Sequence, residues 1–532
     1  MADYFKDKKE TLSEVLNGDH LISAPYKLEF LVEKNYTTAC SKNLTKEEVS
    51  RFRKAIKSDY YLQMYYNDLP FLLFVGEIDK HDIFNNYRYL LYNHIRFEIF
   101  FNKDRIVKIH VLPNTEDVVE LTEDKETYVK FFYTVHWEEL HIPFEKRMEN
   151  YSESSFLWFS IMNSCVTLLC LIGFVVKFYI RVFKKEITEG LPDSESASTQ
   201  DERGWKCIRD DVFRHLSNKS LLAAALGSGT QLFILTVLIL VLGLIGIFHS
   251  YNRGRLLTAL IIIYTITSTI AGYTATSFYC QLGGTNWLGN LLLTGCLFPI
   301  PLLFTLCLLN FIATSYKATP ALPFGITMEL VLLWTLIAFP LLVLGGIIGK
   351  SSKAEYEAIC KSSNAELHSP LHIAKSPREI PPLPWYRRAL PQIAVAGFLP
   401  FSLMPVELNF VISSVWGHGI YIAYKILLIN FILVLIFIAL MNTYLTCRQL
   451  FAEDHKWWWR SFFYGGSIGI YVFVYCIYYC YAISDWSGSL QISFFFGCMA
   501  CISYGLFLMF GTVGFAASFL LVRYMYQSVK FD

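Results

Sequence analysis

Charge is scarce in this chain. Of 532 residues only 17% are Asp, Glu, Lys or Arg, against about a quarter in soluble proteins. The formal net charge is +1, so no global field draws the chain to a polyanion, and nucleic acid is excluded as a partner. Cysteine is almost missing from the first 155 residues, which hold only Cys40. Most of the 13 cysteines sit inside apolar runs, among them Cys165, Cys170, Cys296, Cys307, Cys476, Cys480, Cys498 and Cys501. None of these comes with the further ligands a zinc site requires, and small packing residues are expected. His81, His94, His110, His136 and His141 do not group at metal-ligand spacing either, and read as structural. The soluble stretches contain no Walker loop, dinucleotide fingerprint or nucleophile–base–orienter set. The expectation is a protein that is not an enzyme and holds no cofactor or metal. The opening stretch Met1–Leu16 lacks the apolar core, about seven to fifteen residues long, of a secretory signal.

What the chain has is apolar length. Hydrophobic residues make up 54% and aromatics 16%. Crossing about 30 Å of hydrocarbon takes roughly 20 apolar helical residues. Nine runs meet that test, at Phe156–Ile180, Leu221–Phe248, Leu256–Cys280, Leu288–Ala313, Ile326–Ile348, Leu390–Val415, Ile420–Leu445, Phe462–Ile483 and Leu490–Val522. Thr319–Pro323 reads as a tight turn between the fourth and fifth. Basic residues crowd three connections, about 181–220, 349–389 and 446–461, and the alternate connections hold only Arg253, Arg255 and Lys317. That asymmetry predicts a luminal N-terminus and a cytosolic C-terminus. The chain therefore divides into residues 1–155, a luminal domain, and residues 156–532, a nine-helix transmembrane domain.

The first domain reads as α+β, leaning toward β. Thr45-Lys46-Glu47-Glu48 matches a capping box, with Val49, Phe52 and Ile56 following on one helical face. Arg105–Val111 alternates polar with apolar residues, and Tyr128–Trp137 is rich in aromatic and β-branched ones, as strands are. Asn35, Asn43 and Asn150 begin Asn-x-Ser/Thr triplets and are glycosylation candidates.

Several residues stand out in the second domain. Charges within spans are costly and usually face a bundle interior, which singles out Glu329, Glu407 and Lys425. A Glu407–Lys425 pair would neutralise two of them. Trp457-Trp458-Trp459-Arg460 reads as an interfacial anchor, or else as a cytosolic docking surface with Arg460 placed for lipid phosphate. Glycines at 227/229, 243/246, 465/466/469, 505 and 511/514 provide small helix faces, for packing within the bundle or for contact with other membrane helices.

An ordered set of motifs runs through this domain. It comprises Asp201–Lys206, Ala225–Gln231, Tyr251–Arg255, Ala271–Tyr273, Leu322–Gly325, Pro377–Pro381, Gly397–Phe401, Ala452–Phe462 and Gly511–Phe515. Together these resemble the transmembrane 9 superfamily, the nonaspanins, in a plant-type form. The resemblance implies a Golgi and endosomal multi-pass protein that sorts other membrane proteins and handles glycine-rich transmembrane helices. Membrane lipids and client membrane proteins are then its partners. It also gives Lys530-Phe531-Asp532 the form of the family's Lys-x-Asp/Glu tail, which binds coat protein complex I and retains the protein in the Golgi. The family further implies a cleaved signal peptide and additional luminal sequence ahead of the first motif. The alternative reading is a secondary transporter or channel for an ion or small molecule, resting on the nine runs and on Glu329, Glu407 and Lys425.

Overall fold

A computed structural model describes residues 23–67, 69–79, 88–115, 117–122, 125–144, 154–189, 212, 218–245, 253–315, 324–363, 384–402, 404–416, 424–483 and 488–527. The chain forms two compact units that divide between Glu153 and Ser154. Lys530–Asp532, Asn150, the Thr319–Pro323 turn and the side chain of Lys425 lie outside the described residues.

The N-terminal unit is built on sheets. β1 (Lys34–Leu44), β9 (Thr127–Glu139), β6 (His94–Asn102) and β7 (Arg105–Pro113) lie side by side in that order. β1 runs antiparallel to β9, β9 parallel to β6, and β6 forms a hairpin with β7. β2 (Tyr61–Tyr66) pairs with β3 (Leu69–Phe74), and β4 (Gly76–Asp79), β5 (Arg88–Tyr92) and β8 (Val118–Glu120) make a third sheet. On β9 every second residue from Val129 to Val135 is buried, as a strand with one face on a core requires. α1 (Lys46–Lys57) starts where the capping box predicts. The Glu48 N–H donates to the Thr45 hydroxyl and the Thr45 N–H donates to the Glu48 carboxylate. Val49 and Ile56 on its inner face join Leu44, Leu91, Leu121, Val129 and Phe131 in one core.

The second unit is helical. In chain order it contains α2 (Ser154–Glu189), α3 (Lys219–Leu244), α4 (Arg253–Gln281), α5 (Trp287–Leu297), α6 (Pro299–Ser315), α7 (Phe324–Leu333), α8 (Phe339–Ser363), α9 (Ala389–Phe401), α10 (Pro405–Trp416), α11 (Tyr424–Phe451), α12 (Trp458–Tyr478) and α13 (Ser489–Gln527). α5 and α6 form one span bent ahead of Pro299, and α7 and α8 are joined by a π turn at Trp334–Ala338. Among the described residues eight helical segments are long and apolar enough to cross a membrane. This is a polytopic α-helical membrane protein with a sheet-containing N-terminal domain.

The predicted run Leu390–Val415 departs from a single helix. It is split into α9, of 13 residues, and α10, of 12. Each half spans only about 20 Å at 1.5 Å per residue, short of the hydrocarbon core. Pro400 cannot donate to the ladder and Pro405 opens the next helix, so the chain breaks between them. The freed carbonyls find local donors. The Ser402 N–H donates to the Phe398 carbonyl at 2.8 Å, the Ser402 hydroxyl to Leu399 at 2.7 Å, and the Met404 N–H to Phe401 at 2.8 Å. Broken backbone at this depth survives only when so satisfied. Helices also run into two of the expected connections, since α2 continues to Glu189 and α8 to Ser363.

Glycine decides how closely the helices approach. A Cβ on Gly345 of α8 would collide with the Thr269 carbonyl of α4, and one on Gly465 of α12 with the Phe510 carbonyl of α13. The small faces around Gly227, Gly229, Gly465, Gly466, Gly469, Gly511 and Gly514 are thus filled by neighbouring helices of the same chain. Buried polar side chains cross-link the same helices. Asn442 donates to the Ser461 carbonyl at 2.8 Å, Ser228 to Thr294 at 3.1 Å, and Gln231 to Tyr264 at 2.9 Å.

Candidate functional site

The helix break places an acid in the bundle. Glu407 is in the first turn of α10, where the unpaired N–H groups of the helix end favour negative charge. Its side chain is buried. Oε1 accepts from the Asn430 side-chain amide of α11 at 2.8 Å. The Asn430 Oδ1 accepts in turn from the Cys165 thiol of α2, at a sulfur-length 3.6 Å. Oε2 is buried with no hydrogen-bond partner among the described residues. Three helices, α2, α10 and α11, thus converge on one carboxylate with an open acceptor position. A buried acceptor left unmade costs about 1–3 kcal/mol, so the site is a local expense of the fold.

Of the other charge candidates Glu329 does not join it, and the Lys425 side chain lies outside the described residues. Glu329 is exposed on α7. Lys425 is in the first turn of α11, five residues before Asn430, and Asn430 is the neighbour the structure gives Glu407. Neither Asn430 nor Cys165 was legible as a partner, because their meeting depends on how three helices pack.

The tryptophan motif corrects an expectation. Trp457 and Trp458 are not interfacial anchors or an exposed docking surface, since they are 0% and 6% exposed. Their rings stack at 4.5 Å and pack against Phe515 and Phe519 of α13. Both indole N–H groups donate to the Val212 carbonyl, at 3.2 and 3.1 Å. They pin a connection more than 240 residues away in sequence. Trp459 is half-buried and stacks on Phe463. Arg460 donates to Asp454 at 2.6 Å, and that aspartate is fully buried. The Lys456 N–H donates to its other oxygen at 3.1 Å.

A third feature is a cavity of about 350 Å³ among α3, α4, α6, α7 and the π turn. Its lining is apolar apart from Thr265 and Tyr264, and includes Leu235, Phe298, Leu303 and Trp334. Ile261, Ile300 and Leu302 at its edge are exposed, so the cavity opens onto the bundle's outer surface. In the N-terminal unit, Asn35 and Asn43 are exposed on β1. His94 is buried as a strand residue. Its Nδ1 lies 2.9 Å from Asp117 and its Nε2 2.8 Å from the Thr134 hydroxyl. Cys40 is a free thiol, its pKa raised by burial. Among the described residues no group of three His, Cys, Asp or Glu could hold a metal ion.

Comparison with known proteins agrees with the motif set. The family model for endomembrane protein 70 matches residues 2–489. Transmembrane 9 superfamily member 4 of Arabidopsis thaliana is 55% identical over 99% of this chain and 88% of its own length. Member 2 of the same plant is 56% identical over the same shares. Member 1 of Bos taurus is 34% identical, again over 99% and 88%. No solved structure matches the chain. With a family match over most of its length and relatives more than half identical across 99% of its residues, the chain belongs to the transmembrane 9 superfamily.

Proposed function

We propose that this protein sorts other membrane proteins in the Golgi and endosomes, receiving their transmembrane helices along the apolar cavity beside α6 and α7. The observation that carries the reading is that laterally open cavity. Its volume lies in the range of ligand pockets, about 300–1,000 Å³, and is enough for side chains of a docked helix rather than for a whole one. The protruding Ile300, Leu302 and Phe304 complement a client helix whose own glycines leave a groove. The faces around Gly227, Gly229, Gly465, Gly466, Gly469, Gly511 and Gly514 are already occupied within the bundle, so the client supplies the small residues. Orientation follows the basic connections, with Lys530-Phe531-Asp532 cytosolic and read by coat protein complex I. A photo-crosslinker at Ile300 in cells should capture transmembrane segments of cargo. Capture of lipid alone sinks the client reading. Removing Lys530–Asp532 should release the tagged protein from the Golgi, and an unchanged location removes the retention signal.

One observation favours a second reading. A discontinuous helix with a buried acid and an open oxygen is the kind of arrangement found at ion sites of transporters. On that reading Glu407 takes up a proton or cation at Oε2. Reconstituted vesicles should then show a flux that Glu407→Gln abolishes, and vesicles without flux end the idea.

A further inference from the structure

Beyond the sorting cavity and the Glu407 site, a second polar pocket stands at one end of the bundle. There α11 ends and α9 and α12 begin. It is lined by Arg387, Gln392, Arg448, Gln449, Ala452, Asp454 and Arg460. We propose that this pocket binds a phosphate group, with Arg387, Arg448 and Arg460 as its cationic ligands.

Among the described residues three guanidinium groups line the pocket against one carboxylate, an excess of two positive charges. Asp454 is spent on Arg460 and on the Lys456 N–H, and its role is to hold Arg460 in place. Arg460 donates to Asp454 and also to the Tyr464 hydroxyl, and keeps further donors of its five. Arg448 donates to the Tyr444 hydroxyl alone among the described residues, at 3.2 Å, and lies over that ring. Among the described residues neither Arg387 nor Arg448 has a carboxylate partner.

Gln449 points independently to a ligand. It is 5% exposed, and both its amide nitrogen and its amide oxygen are buried without a hydrogen-bond partner among the described residues. Leaving both unmade costs free energy that a bound polar group recovers. A positive cavity with a spare amide donor suits an anion. Three planar forks approaching from separate elements suit a tetrahedral oxyanion with several acceptor oxygens better than a carboxylate with two.

Size and position narrow the class. The enclosed space is about 10 Å³, at the lower limit of what admits a single water-sized group. One terminal oxygen enters, and the rest of the phosphate and whatever carries it stay at the mouth beside the exposed Arg387. The pocket lies where α11 ends and α9 and α12 begin, at the end of the bundle that basic residues mark as cytosolic. A lipid headgroup bearing a phosphomonoester and free phosphate present the same oxygens there, and both are tested.

The full-length protein is placed in phosphatidylcholine nanodiscs, in one arm with phosphatidylinositol 4-phosphate added to the bilayer and in the other with inorganic phosphate in solution. Thermal stabilisation is followed against ligand concentration, because a ligand that binds only the folded state raises the melting temperature saturably. Saturable stabilisation is expected in at least one arm, and the responding arm names the source. Arg448→Gln and Gln449→Leu should weaken it roughly tenfold or more, the loss of one charge-assisted hydrogen bond. Arg387→Gln should do the same without a folding penalty, since Arg387 is exposed. The control is the adjacent Arg388→Gln, which removes the same charge outside the pocket. No saturable stabilisation in either arm overturns the proposal. So does equal weakening by Arg387→Gln and Arg388→Gln, which would indicate diffuse attraction instead of a site.

Discussion

Trp457 and Trp458 allow a sharp test, because burial and interfacial anchoring predict opposite results. Each indole donates to the single Val212 carbonyl, so that oxygen is doubly satisfied. Trp457→Phe keeps most of the ring packing and removes one donor, while Trp458 still serves the carbonyl. The cost is then that of one modest hydrogen bond, about 0.5–1.5 kcal/mol, and the same holds for Trp458→Phe. The double substitution removes both indole donors from this buried residue's carbonyl, the donors it has among the described residues, and adds a desolvation penalty of about 1–3 kcal/mol. The two changes therefore cost more together than their sum, with a coupling of roughly 1 kcal/mol or more. Trp457→Ala additionally empties a fully buried indole site and should cost about 3–5 kcal/mol. Unfolding of the purified protein in mixed micelles by a denaturing detergent, followed by far-UV circular dichroism, measures all four variants. Strict additivity of the Phe substitutions would refute the shared acceptor. A Trp457→Ala protein as stable as wild type would refute burial altogether, and would restore the anchor expected from composition.

Three further outcomes follow from the packing. Glu48 is held by the Lys42 ammonium and the Thr45 N–H, which bring its pKa from 4.5 down to about 2. Because the fold favours its charged form, that contribution to the N-terminal unit is complete above about pH 4.5 and is lost as pH falls through about 2. Glu48→Gln keeps a capping box but should flatten the acid limb of a stability–pH profile over that window, and an unchanged limb would contradict the pairing. Gly345→Val drives a side chain into the Thr269 carbonyl and should destabilise the α4–α8 contact by about 1–3 kcal/mol in the same detergent titration. Glu407→Ala leaves the Asn430 donor buried alone and should cost about 1–3 kcal/mol, whereas Glu407→Met with Asn430→Leu should be close to neutral.

Features set by local pattern were readable from the residues alone. The Thr45–Glu48 box marked the start of α1, alternation marked β7, and aromatic and β-branched content marked β9, since all three depend on neighbours within a few positions. Most spans followed from length and apolarity. What the pattern could not supply was distance in sequence. Val212 lies 245 residues from Trp457, and an aromatic cluster beside charged residues carries the same composition whether it anchors in lipid or buries in a bundle. The pairing of β6 with β9 is parallel, and no hairpin signal announces it. The break at α9–α10 had a visible cause in Pro400 and Pro405, which a hydropathy window averages away.

That break is where the levels of description disagree. Elsewhere apolar length, glycine contacts and polar cross-links all support the same bundle. Between Phe401 and Pro405 a span long enough to be continuous is interrupted, and the next turn carries a buried acid with one oxygen unmade. A sequence selected only for stability would replace the Glu407–Asn430 pair with apolar side chains, because well-packed substitutes are usually neutral or stabilising. Retained local conflict of this kind tends to mark function. The cavity beside α6 offers a surface for other helices, while Glu407 offers chemistry inside the bundle, and the two lie on different elements. Client capture at Ile300 that persists in Glu407→Gln would separate them as independent devices. Loss of capture in that variant, with the fold intact, would instead make the buried acid the element that sets the state of the cavity.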